Sequence, residues 1–183
     1  MTNDRANRVA PAHCLIVGIG SPHGDDQAGW QAIEQLQAQR WTKSNLRKAA
    51  VPHDLLDWLD GISELHIIDS CFGEPDSLGP QRFELQKGPS SNVSQWRWIP
   101  LQKNVTGNVT TLERPLKLRS AGSHQIDVQT VLELAACLDR LPEQVVLWAI
   151  PGRRYSANDT MSEDCQTAIQ ECVTSIRGEL YDA

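Results

Sequence analysis

The sequence has no run of about 18 apolar residues, so nothing in it indicates a transmembrane helix. It has no Cys-x-x-Cys pair, and its cysteines (Cys14, Cys71, Cys137, Cys165 and Cys172) are odd in number. Neither a cysteine zinc knuckle nor a disulfide framework is signalled, and a reduced, cytoplasmic setting fits best. No basic face is clustered: 17 Lys and Arg stand against 23 Asp and Glu, a net charge of −6. That balance disfavours a nucleic-acid or anionic-membrane partner. The opening "MTNDRANRVAPA" lacks the apolar segment of a secretory signal. Residues 1–12 are expected to be a disordered tail, leaving 13–183 as one α/β domain. There is no internal repeat and no low-complexity segment.

What remains is an ordinary globular composition, 40% hydrophobic and 22% charged over 183 residues. Residues 13–20 read as a buried strand carrying Leu15, Ile16, Val17 and Ile19. A helix is predicted from about Asp26 to Arg40, with Ala28, Ala32, Ile33 and Leu36 on its apolar side. "NLRKAAV" (45–51) makes a weak second strand. "HDLLDWLDGI" reads as a short helix with Asp54 as N-cap. "ELHIIDSCF" is another buried strand, predicted to end near Asp69. The Gly- and Pro-rich stretch 73–120 shows alternation in "QRFELQ" and "LKLR", read as two strands of a hairpin or sheet edge. Trp96 and Trp98 have strand spacing and are expected to cover the sheet, with peptide binding as the alternative for so long a connection.

Three further elements follow. "IDVQTVLELAACLDRL" has helical spacing, "QVVLWAI" is a strand, and Thr160 to Glu163 forms a capping-box pattern. The helix it opens carries Cys165, Ala168, Ile169, Cys172, Val173 and Ile176, where both cysteines read as small buried apolar residues. Strand and helix thus alternate. That order predicts a three-layer α/β/α fold with a twisted, mainly parallel sheet and an antiparallel strand or hairpin from the middle segment.

In such sheets ligands bind at the carboxyl ends of the strands. Three segments meet there: the turn after the first strand, the end of "LHIID", and "SAGSH" before the helix near Ile126. "HCLIVGIGSPHGDDQAGW" is a poor dinucleotide site. Gly24 comes one residue too late for G-x-G-x-x-G, and Asp25 and Asp26 stand where a phosphate would dock. The glycines read instead as turn-formers that let the acid pair enter the crevice. Adjacent helical positions point about 100° apart, so one acid of the pair should face the crevice, and Asp26 is the candidate.

Asp69 and His124 complete an open set of two carboxylates and one imidazole suited to a borderline divalent metal. Each also has a structural reading: Asp26 as a helix N-terminal acid, Asp69 bonding loop amides, His124 capping a helix. His23, His53 and His66 read as loop, helix-entry and structural histidines. Cys71, two residues beyond Asp69, raises a Cys71–His124 hydrolase as a rival.

Together, "LIVGIGSPHGDDQAG", "LHIIDSC", "SAGSHQIDVQTVLELA" and the closing "VVLWAIPGRRYSANDTMSEDCQTAIQECV" resemble the nickel–iron hydrogenase maturation endopeptidases, over most of residues 13–177. The resemblance implies a protein substrate, the large-subunit precursor, from which a C-terminal peptide is removed after the nickel–iron centre is inserted. It maps the metal-contacting residues onto Asp26, Asp69 and His124, with nickel supplied by the substrate. Ser21 stands where the family usually has Asn. The expected function is therefore that of a cytoplasmic, metal-dependent endopeptidase acting as a monomer. A non-catalytic recognition or chaperone module of the same fold is the alternative.

Overall fold

The computed structural model describes residues 13–39, 46–72, 79–87, 96–100 and 127–181. Six strands are present among them: β1 (Cys14–Ile19), β2 (Leu46–Ala49), β3 (Glu64–Phe72), β4 (Gln81–Lys87), β5 (Trp96–Pro100) and β6 (Gln144–Gly152). The helices are α1 (Ala28–Ala38), α2 (Val128–Cys137) and α3 (Glu163–Tyr181). The strands form one sheet in the order β2-β1-β3-β6-β4-β5. Pairing is parallel from β2 through β6, whereas β4 runs antiparallel to both β6 and β5.

The central strands are apolar on both faces, as a sheet covered on both sides requires. Period-two alternation divides their side chains. Ile16, Ile68, Val146 and Trp148 face α1 and α3, where Ile33, Leu36, Ile169, Val173 and Ile176 meet them. Val17, Ile67, Val145 and Leu147 face the other way, against Val131 and Leu132 of α2 and against Leu55 and Leu59. Large side chains fully buried in this way contribute about 1.5–3 kcal/mol each. Gly18 and Gly29 let α1 lie directly on the sheet: a Cβ on Gly29 would stand 2.2 Å from the Ile19 carbonyl oxygen and 2.5 Å from that of Ile68.

Local structure departs from the sequence reading in five places. The stretch at the acid pair is a 3-10 turn, Gly24–Gln27, and the α-helix begins only at Ala28. Gly24 has φ +50°, and the Asp26 N–H donates to the His23 carbonyl three residues back. The expected helix at 53–62 is a 3-10 turn over Pro52–Asp57. There Asp54 is not the cap; its carboxylate reaches back to the N–H groups of Ala50 and Val51 at 3.0 and 3.4 Å. β3 continues three residues past Asp69, because β6 pairs with it as far as Phe72–Gly152. The partner of β4 is β5, while "LKLR" lies outside the described residues. α3 is capped by Ser162 rather than Thr160, its hydroxyl accepting from the Cys165 N–H at 3.3 Å. Trp96 and Trp98 pack against the core on the α2 face. The expected tail, 1–12, lies outside the described residues.

Candidate functional site

The sheet's topology opens a crevice at the end of β1. The chain leaves β1 for β2 on one side and returns to β3 on the other, so flanking elements diverge at the carboxyl ends of β1 and β3. Pairing of β1 with β3 stops at Gly18–Ile68, whereas β3 stays paired with β6 for four more residues. Asp69 and Ser70 therefore lie on the part of β3 that β1 has already left.

Asp25 and Asp26 diverge from the turn after β1. Asp25 is fully buried and points into the β6–α3 connection. Its carboxylate accepts from the N–H groups of Arg153 (2.7 Å), Arg154 (3.0 Å) and Ser162 (2.7 Å), and from the Ser162 hydroxyl (3.0 Å). Burial alone would raise its pKa, but these four donors outweigh it and hold the carboxyl below its ordinary value. Asp26 is only half-buried. Its Oδ2 accepts from the Ser21 hydroxyl at 2.5 Å and its Oδ1 from the Ser70 hydroxyl at 3.3 Å.

Asp69 is buried, 7% exposed, and its Oδ1 accepts from the Ser70 N–H at 2.8 Å. Ser70 thus touches both acids, Asp26 through its hydroxyl and Asp69 through its backbone. By strand alternation Asp69 belongs to the α2 face of the sheet. His124 lies outside the described residues.

The β6–α3 connection closes the rim. The Tyr155 hydroxyl donates to the Cys71 carbonyl at 2.7 Å, and its ring packs on Phe72 with centroids 5.0 Å apart. Burial pushes the Tyr155 phenol well above its ordinary value, so it stays a proton donor. Burial, with Asp69 adding in the same direction, pushes the Cys71 thiol up to about 12. A thiol so placed holds little thiolate near neutrality, so its surroundings lend the Cys71–His124 hydrolase no support. His23 is half-buried in the turn, and His53 is exposed at the start of its 3-10 turn.

A second group of metal-ligand types, which sequence reading missed, lies at the opposite end of the sheet: Cys14, Glu64 and His66. The available signal was Glu64 and His66 two apart on one strand, hence on one face. Its hydrogen bonds do not suit a metal. The Trp148 indole N–H, which can only donate, points at His66 Nδ1 at 3.0 Å, while Nε2 faces Glu64 Oε1 at 2.9 Å. The ring proton therefore sits on Nε2, the nitrogen a metal at this cluster would need bare. Burial and Glu64 also push the Cys14 thiol up to about 12. The group is a buried hydrogen-bonded tie between β1, β3 and β6.

The fold and its acid-lined crevice define a class: a six-stranded, mostly parallel α/β sheet flanked by helices, with carboxylates rather than glycine amides facing the switch point. Solved structures that share this fold include hydrogenase maturation proteases. The NiFe hydrogenase maturation protease HybD from Thermococcus kodakarensis superposes with a TM-score of 0.60 at 15% identity, covering 92% of this chain and 99% of that one. The hydrogenase-maturating endopeptidase HybD from E. coli does so with 0.59 at 13% identity, over 93% of each chain. The protease HycI from Thermococcus kodakarensis KOD1 gives 0.58 at 14%, over 96% and 97%. At these identities the likeness is one of fold. No protein-family model and no curated protein matches the sequence.

Proposed function

We propose that this chain is an endopeptidase that removes the C-terminal peptide from the nickel-loaded large-subunit precursor of a nickel–iron hydrogenase. The observation that carries the reading is the pairing of Asp26 with Asp69 through Ser70, at the switch point of a fold shared with the maturation proteases. Asp26, Asp69 and His124 contact nickel held by the substrate, so nickel arrives as part of the precursor. Two carboxylates and an imidazole leave coordination positions for the substrate's own groups. Cleavage then uses either polarisation of the scissile carbonyl by that metal or an aspartate that takes a proton from the attacking water. The enzyme works as a monomer in the cytoplasm. Among the described residues no helix is long and apolar enough to cross a membrane.

The test mixes the protein with nickel-loaded and nickel-free precursor and follows the large subunit by mass spectrometry. A shortened product from the loaded form alone is expected, and Asp26→Ala or His124→Ala should abolish it. No product from either precursor would remove the reading and leave a non-catalytic recognition module.

A further inference from the structure

Asp26 is held by protein donors on two sides. Ser21 grips it twice: its N–H donates to the Asp26 main-chain carbonyl at 3.1 Å, and its hydroxyl to Oδ2 at 2.5 Å. The turn can close this tightly because Gly20 lies against the same carbonyl, where a Cβ would stand 2.2 Å from the oxygen. From the opposite side the Ser70 hydroxyl donates to Oδ1 at 3.3 Å. The Ser21 hydroxyl has one proton to give and gives it to this carboxylate, whereas the Ser70 hydroxyl, at 3.3 Å, also meets the Tyr155 phenol. One anchor comes from the exit of β1 and the other from β3, so rotation of the carboxylate about its own bond would break both.

We infer that Ser21 and Ser70 are positioning residues that aim the Asp26 carboxylate at the metal carried by the substrate. The inference rests on the endopeptidase reading and adds to it a determinant of nickel discrimination. Neither serine needs to touch the reacting atoms. Ser21 is the stronger of the two, because its contact is at the short end of charge-assisted O–H···O bonds and that of Ser70 is long. Losing an outer partner of a metal-contacting group characteristically costs 10–100-fold in affinity or activity.

The experiment measures cleavage and binding of nickel-loaded and nickel-free large-subunit precursor by wild type, Ser21→Ala, Ser21→Thr and Ser70→Ala. Ser21→Ala should lose about 10–100-fold in kcat/KM on the loaded precursor while binding the nickel-free precursor as wild type does. Ser21→Thr keeps the hydroxyl and should recover most of the rate; Ser70→Ala should lose less than Ser21→Ala. Thermal unfolding of each variant identifies any that fails to fold, and the Thr variant carries the test if the Ala variant does. Unchanged cleavage by Ser21→Ala, equal weakening toward both precursors, or a Thr variant no better than Ala would overturn the inference. A wild-type protein that cleaves neither precursor would instead remove the endopeptidase reading, and this inference with it.

Discussion

Asp25 and Ser162 are 137 positions apart and are joined by two hydrogen bonds, the Ser162 N–H donating to Oδ1 at 2.7 Å and its hydroxyl to Oδ2 at 3.0 Å. With the N–H groups of Arg153 and Arg154 on the same carboxylate, this ties the β6–α3 connection to the turn that presents Asp26. Ser162 in turn caps α3 through its hydroxyl oxygen. One buried acid therefore sets the position of a loop, a helix start and the candidate site.

Removing that acid should be costly. Asp25→Ala strands three backbone donors, and a stranded buried donor costs about 1–3 kcal/mol. Some will find water, so a loss of about 3–5 kcal/mol in urea unfolding is expected. Asp25→Asn keeps one acceptor oxygen and should lose less than Asp25→Ala.

The same carboxyl makes stability fall in acid. Its folded-state pKa is depressed, so its contribution is present above the unfolded value of about 3.9 and is lost as pH falls through the folded value. Glu64 adds to this, because its hydrogen bond from His66 outweighs burial and depresses its pKa too. Unfolding free energy measured from pH 7 down to pH 3 should drop more steeply for wild type than for Asp25→Asn. Parallel curves would show that Asp25 is not a source of the acid sensitivity.

Gly29 should tolerate no side chain. Its Cβ would meet the carbonyl oxygens of Ile19 and Ile68 at 2.2 and 2.5 Å, both of them backbone atoms that cannot rotate away. Overpacking of this kind costs about 1–3 kcal/mol or more, so Gly29→Ala should lower the unfolding midpoint clearly. Gly61→Ala is a contrasting control: nothing lies within 4 Å of its Cβ, and only its φ of +74° resists the change.

The thiols should divide by exposure. Cys14, Cys71 and Cys165 are buried with pKa values pushed up to about 12, and Cys172 is buried and raised as well. Cys137, at the end of α2, is exposed. Iodoacetamide at pH 7.5 should label Cys137 well before the others, read by peptide mass mapping. Early labelling of Cys71 would revive it as a nucleophile.

Much of the architecture was legible from periodicity alone. Strands β1, β3 and β6 and helices α1, α2 and α3 announce themselves as apolar runs or helical stripes, and their alternation implies a parallel sheet. Boundaries were less legible where a polar side chain competes with the helix for backbone donors. Asp54 takes two upstream N–H groups, and Ser162 rather than Thr160 caps α3 because Asp25 already holds its N–H. The first competition is local, over three and four positions, whereas the second is settled by an acid 137 positions away.

By itself, then, the sequence determined which segments are buried, that the acid pair rather than a glycine cradle occupies the first turn, and that Asp69 lies late in a central strand. Only the tertiary structure decided that Asp25 turns inward as a structural anchor while Asp26 turns to the crevice held by Ser21 and Ser70. It alone also locked Cys14, Glu64 and His66 into a hydrogen-bonded tie through Trp148. The reason is physical: a side chain's direction and protonation are set by donors and acceptors that arrive from distant parts of the chain, and those meet only when the sheet is assembled.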